Sequence, residues 1–243
     1  MRNHSFQFKQ FTICQDQCAM KVGTDGILLG AWVMLPENAQ ILDIGTGTGL
    51  IALMLAQRSQ TSLHPSKTKI DAVEIDEQAY QQATNNIQKS PWGDRLQTHH
   101  GDIQNFATTC SQQYDLIISN PPFFENAYKA SQASRTLARH SDSLLQTNIL
   151  QIAKQLLKSD GHLAVIYPTD LAYSFLNKSR NFGLWCDRQV NIKPTPQGSI
   201  KRIALEFSKT QFSLQETMLT IEESKHIYTE DYIALVKDFY LNL

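Results

Sequence analysis

Cysteine is scarce. The chain has four, at positions 14, 18, 110 and 186, and their spacing is irregular. That excludes a disulfide framework as the organiser of the fold. Cys14 and Cys18 stand four apart with no second Cys/His pair near them, so two ordinary thiols are expected and no metal site. Long apolar runs are also missing. Nowhere do eighteen apolar residues follow one another, and residues 1–10 carry no apolar leader core. A cytoplasmic protein without a membrane partner is expected. Repeats, low-complexity tracts and linker-like stretches are absent, so residues 1–243 read as one domain, with 1–39 an extension and 40–243 the core; a monomer is expected.

Net charge is close to zero, at −1, so the molecule as a whole is no electrostatic sponge for nucleic acid. The charge is unevenly spread, however. Residues 125–205 hold eleven basic and five acidic side chains, against eight and eleven in 1–124 and three and seven in 206–243. Such asymmetry suits a basic face for a phosphate-bearing partner, and it also fits scatter over solvated surface.

What is present is a regular alternation. Residues 6–13 alternate as a short strand or hairpin, and Met20–Trp32 reads as a glycine-punctuated turn entering an apolar helix. Strands are expected at 41–44, 70–75, 96–100, 114–119, 162–167 and 202–207, with helices at about 50–58, 76–88, 144–158 and 171–181. Gly161 is expected to cap the third of these helices. A strand at 218–221 and a helix from about 230 close the chain. Strands alternating with helices of this length imply a parallel, doubly wound α/β sheet, which binds ligands at the carboxyl edge of its strands.

The loop after the first regular strand reads Leu42-Asp43-Ile44-Gly45-Thr46-Gly47-Thr48-Gly49-Leu50. The dinucleotide fingerprint needs glycine at position 50, where Leu50 stands, and no Lys-Ser/Thr pair follows as in a phosphate-binding loop. Three glycines let the backbone turn tightly and approach a ligand closely. Acids then stand at three successive strand ends. Asp43 suits a cationic group, Glu74 ribose hydroxyls, and Asp102 an adenine amino group. Amino acid, ribose and adenine in that order describe S-adenosylmethionine.

After the strong strand 114–119 comes Asn120-Pro121-Pro122-Phe123. Two prolines make a stiff turn. The Asn side-chain oxygen and a neighbouring carbonyl offer two fixed acceptors for a flat amino group, and Phe123 offers a ring for stacking. The target is therefore a planar amine or amide nitrogen, either an exocyclic amine of a base or a glutamine side-chain amide.

These motifs resemble class I S-adenosylmethionine-dependent methyltransferases of the N6-adenine type. The resemblance is greatest to the bacterial family acting on tRNA1(Val), and it runs from "FKQFTICQDQCAMKVGTDGILLGAW" through "LDIGTGTGLIALMLAQR" and "IDAVEID" to "YDLIISNPPFF" and "YTEDYIALVKDFYL". It implies a Rossmann-like, seven-stranded sheet and methylation of adenine N6 at position 37, beside the anticodon. It also implies a cofactor site of Asp43, Gly45, Gly47, Gly49, Glu74 and Asp102 with Asn120 at its edge. Lys21, Thr24 and Asp25 would close over the methionine end, and Asn120, Pro121, Pro122 and Phe123 would take the target base. Relatives commonly carry Tyr where this chain has Phe123. Lys129, Arg135, Arg139 and His140 follow the target turn closely enough to grip the anticodon loop of tRNA, with Arg180, Arg188, Lys193, Lys201 and Arg202 as further candidates.

Overall fold

The computed structural model describes residues 4–60, 67–123 and 132–242, with only the backbone of 132–142. An antiparallel hairpin, β1 (Ser5–Gln7) and β2 (Thr12–Cys14), leads to helix α1 (Thr24–Trp32). The alternating part follows: β3 (Gln40–Ile44), α2 (Leu50–Arg58), β4 (Lys69–Glu74), α3 (Glu77–Gln88), β5 (Leu96–His100), α4 (Ile103–Thr109) and β6 (Tyr114–Ser119). Then come α5 (Gln132–Leu156), β7 (Leu157–Pro168), α6 (Thr169–Ser179), β8 (Trp185–Lys193) and β9 (Arg202–Ser208). The chain ends with β10 (Gln215–Thr220), a small hairpin of β11 (Glu222–Ser224) and β12 (Ile227–Tyr228), and α7 (Glu230–Val236).

The main sheet has eight strands rather than the expected seven, in the order β10-β8-β9-β7-β6-β3-β4-β5. Nor is it wholly parallel: β9 runs antiparallel to both β7 and β8, and β10 pairs in parallel with the outer side of β8. The order reverses between β3 and β6, which are direct neighbours although α2, β4, α3, β5 and α4 separate them along the chain. That reversal opens the crevice where doubly wound sheets hold their ligands.

Central strands are apolar on both faces because helices cover both. Ile41 faces one core cluster, with α1, α2 and α7, and Leu42 faces the other, with α5 and α6. Leu116 and Ile118 join the first and Ile117 the second, all at 0 % exposure. The N-terminal extension belongs to the first cluster through Phe8, Phe11 and Ile13. Phe8 bridges to Tyr240, and the Lys9 amide donates to the Phe239 carbonyl at 2.8 Å. Among the described residues no helix is long and apolar enough to cross a membrane.

Two local readings change. Gly161 is no helix cap, since α5 ends at Leu156 and the strand starts at once. The register between β6 and β7 slips there, from Tyr114 opposite Leu157 to Leu116 opposite His162. A Cβ at Gly161 would lie 2.7 Å from the Tyr114 carbonyl, so glycine serves close strand approach. Helix α4 was not expected. It is seven residues long and buries only Ala107 fully.

Candidate active site

The parallel register brings four strand ends to one edge. Asp43 pairs with both Ala72 and Ile118, and Glu74 with His100. The glycine loop starts where β3 ends, its Gly45 and Thr46 amides donating to the Val73 carbonyl at 2.9 and 3.1 Å. Gly45, Gly47 and Gly49 have φ of +69°, +58° and +82°, a region that side chains rarely enter. A Cβ at Gly45 would meet nothing within 4 Å, so this bend faces open space. Gly49 packs against Ala83 of α3, 3.6 Å from where its Cβ would be.

The two acids nearest the loop first of all shape it. Asp43 is 1 % exposed and accepts the Thr46 hydroxyl at 2.6 Å, while its Oδ1 has no hydrogen-bond donor in bonding geometry among the described residues. Burial pushes its pKa up to about 7 and the nearby Glu74 adds to the rise, while the Thr46 hydroxyl and the Ala52 amide oppose it. Glu74 accepts three backbone amides: Gly47 at 2.8 Å on Oε2, and Ile75 and Asp76 at 2.9 and 3.0 Å on Oε1. A carboxylate has about four acceptor positions, so this one keeps capacity for a hydroxyl. Asp102 caps α4 through Oδ1, accepting Gln104 and Asn105 amides at 2.7 and 3.4 Å. Ile75 follows Glu74 and is 65 % exposed, an apolar face at this edge that a strand-end pattern of acids does not announce.

Over the loop lies the segment that follows β2. Asn86 of α3, 2 % exposed, accepts the Cys14 amide at 3.0 Å and donates to the carbonyls of Cys14 and Thr48, each at 2.9 Å. Gln82, one turn earlier, accepts the Gln17 amide at 3.0 Å, and Gln15 accepts the Val22 amide at 2.8 Å. Cys18 Sγ comes within 3.8 Å of a Cβ position at Gly47. These polar side chains were missed, although Gln82 and Asn86 recur at helical spacing on the face where Ala79 and Ala83 are also buried. Lys21 and Thr24 are exposed beside this segment.

The proline turn sits against the same bend. Ser119, 1 % exposed, donates its hydroxyl to the Ile44 carbonyl at 2.8 Å, tying the end of β6 to the end of β3. The next residue, Asn120, has a buried Oδ1 without a partner among the described residues, and its Nδ2 lies 3.6 Å from where a Cβ at Gly26 would stand. Pro121 is buried, Pro122 exposed and Phe123 half-buried. Arg202 Cζ lies over the Phe123 ring, 4.9 Å from its centroid, and its Nε donates to Asp25 Oδ2 at 2.7 Å. Asp25 is thus engaged beside the proline turn.

The basic residues divide. Lys129 lies outside the described residues, and Arg135, Arg139 and His140 are described by the backbone of α5 alone. Arg180 and Lys201 are exposed. Arg188 is engaged within the fold rather than offered to a phosphate: it pairs with the fully buried Glu206 at 2.6 Å and covers the Trp32 ring at 4.6 Å. His99 pairs with Asp71 at 2.7 Å and His100 with Glu77 at 3.0 Å, structural partners for both. Among the described residues no group of three or more His, Cys, Asp or Glu could hold a metal ion.

The family described as "Methyltransferase small domain" matches residues 23–184. The "tRNA1(Val) (adenine(37)-N6)-methyltransferase" of Trichodesmium erythraeum is 53 % identical over 241 residues, covering 99 % of each chain. The protein of the same name from Flavobacterium psychrophilum is 46 % identical over 239 residues, 98 % of this chain and all of the relative. This chain belongs to the tRNA1(Val) (adenine(37)-N6)-methyltransferase family. The fold agrees. A solved structure described as a "predicted O-methyltransferase" from Agrobacterium tumefaciens superposes with a TM-score of 0.66 over 88 % of this chain and 96 % of that one, at 17 % identity. Family likeness extends well beyond residues 23–184, to the N-terminal hairpin and the terminal helix α7, which pack with α1 and α2 in one core cluster.

Proposed function

We infer that the chain transfers a methyl group from S-adenosylmethionine to the exocyclic N6 of adenine 37 in tRNA1(Val). One observation carries the site assignment: the Oδ1 of Asn120, buried and unpartnered among the described residues, is anchored through Ser119 beside the open bend at Gly45. A buried carbonyl without a donor is costly unless a ligand supplies one.

The residues suit the cofactor. The open glycine bend admits close approach to backbone, Glu74 retains an acceptor for ribose, and Asp102 keeps Oδ2 for an amino group. Bound there, S-adenosylmethionine supplies an electrophilic methyl group on a sulfonium.

The chain's own contribution is to make a poor nucleophile attack. The lone pair of an adenine amino group is delocalised into the ring. Asn120 Oδ1 and a neighbouring proline carbonyl accept its two hydrogens, favour a pyramidal nitrogen and share the positive charge that grows on it. Phe123 stacks on the base, which must first be splayed from the anticodon loop. With the nitrogen so held, transfer needs positioning alone, and its proton is lost during or after methyl transfer.

The test is mass spectrometry of nucleosides from tRNA incubated with the protein and isotope-labelled cofactor. Label in N6-methyladenosine is expected, and label on protein glutamine or on another nucleoside would overturn the reading. No observation favours the glutamine-amide alternative.

A further inference from the structure

The first turn of α1 touches both jaws of the proline turn. Gly26 packs against the amide of Asn120, and Asp25 holds the guanidinium that covers Phe123. We propose that Arg202, pinned by Asp25, is a positioning residue of the reaction that backs the Phe123 ring and presents its opposite face to the target adenine. The inference rests on the reading above, that Phe123 carries the base.

The geometry is specific. Arg202 opens β9 opposite Pro168 at the end of β7, so its side chain rises from the ligand edge of the sheet. Its Nε donates to Asp25 at 2.7 Å and its Nη1 to the Lys201 carbonyl at 3.1 Å, which fixes the guanidinium plane. The pair is largely shielded, with side-chain exposures of 23 % and 21 %, so salt screens it less than a surface pair. A cation over an aromatic face is attracted by the ring's negative quadrupole. It also occupies that face, so a planar base stacks only on the other one. Without the guanidinium, Phe123 can tilt into the space behind it, and the base above tilts with it. Asp25 and Arg202 are 177 residues apart, and no motif links them.

The test is a steady-state double-mutant cycle on tRNA methylation with Arg202→Ala, Phe123→Ala and the double variant, alongside Arg202→Lys and calorimetric cofactor binding. Arg202→Ala is expected to lower kcat/KM for tRNA roughly 5- to 30-fold, mainly in kcat. Cofactor affinity should stay within about two-fold. In the Phe123→Ala background its further effect should be less than about two-fold, because a prop without its ring has nothing to hold. Arg202→Lys should recover part of the loss by keeping a cation over the ring. Additive losses, or a loss confined to KM that varies with salt, would make Arg202 a phosphate contact and overturn the proposal. Should Arg202→Ala fail to bind cofactor, Asp25→Asn replaces it in the cycle, and absence of coupling to Phe123 again overturns it. Full activity of Phe123→Ala would be a different failure, that of the stacking reading itself.

Discussion

The Ser119 hydroxyl donates to the Ile44 carbonyl at 2.8 Å in a fully buried setting. It is a side-chain link between the strand that ends in the glycine loop and the strand that ends in the proline turn. Ser119→Ala removes it and leaves a buried carbonyl short of a donor. A stability loss of about 1–3 kcal/mol is expected in urea unfolding. Turnover should fall more than cofactor affinity does, because the two halves of the site lose their common reference.

Asn120 invites the opposite result. Its Oδ1 is buried without a partner among the described residues, so Asn120→Ala should leave the melting temperature unchanged or raise it. Methylation should fall by roughly 100- to 1000-fold, as when a preorganised group at the reacting centre is lost. Calorimetry should find cofactor binding nearly intact. A large drop in melting temperature would mean that the side chain is structural.

Gly45→Ala separates strain from obstruction. The added methyl meets no protein atom, but φ is +69°, so the expected folding cost is about 1–2 kcal/mol. The methyl also projects into the open space of the bend. Cofactor affinity should therefore drop by more than the strain explains, as measured by isothermal titration of the folded variant.

Asp43 sets a pH dependence with an unusual sign. Its folded pKa lies above the unfolded value, at about 7. Between about pH 4 and 7 the native state therefore binds a proton that the unfolded chain does not. Stability from this group is present at acid pH and is lost as pH rises through that window, by a few kcal/mol at most. Asp43→Asn should flatten the profile and stabilise the protein at pH 7.5, which urea unfolding at pH 5 and 7.5 measures.

Arg135→Ala combined with Arg139→Ala should weaken tRNA binding while sparing cofactor affinity. If each neutralises one phosphate, the slope of log affinity against log salt should fall by roughly 0.7–0.9 per residue. An unchanged tRNA affinity at moderate salt would move the grip elsewhere.

How much of this was legible in the sequence depended on distance along the chain. Strand β6 was read to the residue, because Leu116-Ile117-Ile118 is apolar on both faces and a proline turn stops it. The glycine loop and its acids were equally plain, since their spacing is itself the signal. Helix α4 escaped because seven mostly polar residues give no clear period. Gly161 looks like a cap in the sequence because a glycine after a helix ordinarily is one, and only the facing Tyr114 carbonyl reveals the real constraint. Arg188 looked like one basic residue among many until Glu206 was found beneath it. Asp25 was drawn toward the cofactor by its place in a motif block, and its partner Arg202 is remote in sequence. Contacts of that kind leave no local trace.

The Lys9 ammonium donates to the Lys237 carbonyl across a separation of 228 residues, beside the bridge from Phe8 to Tyr240. A ribosome thus makes the hairpin 228 residues ahead of its seat. Closing so large a loop is slow and entropically costly, so nascent chains carry Phe6 and Phe8 without their Tyr240 partner until that segment is made. A chain cut before α7 would keep the glycine loop and lose the clasp behind its cover, and chaperones, rather than substrates, would be its natural company.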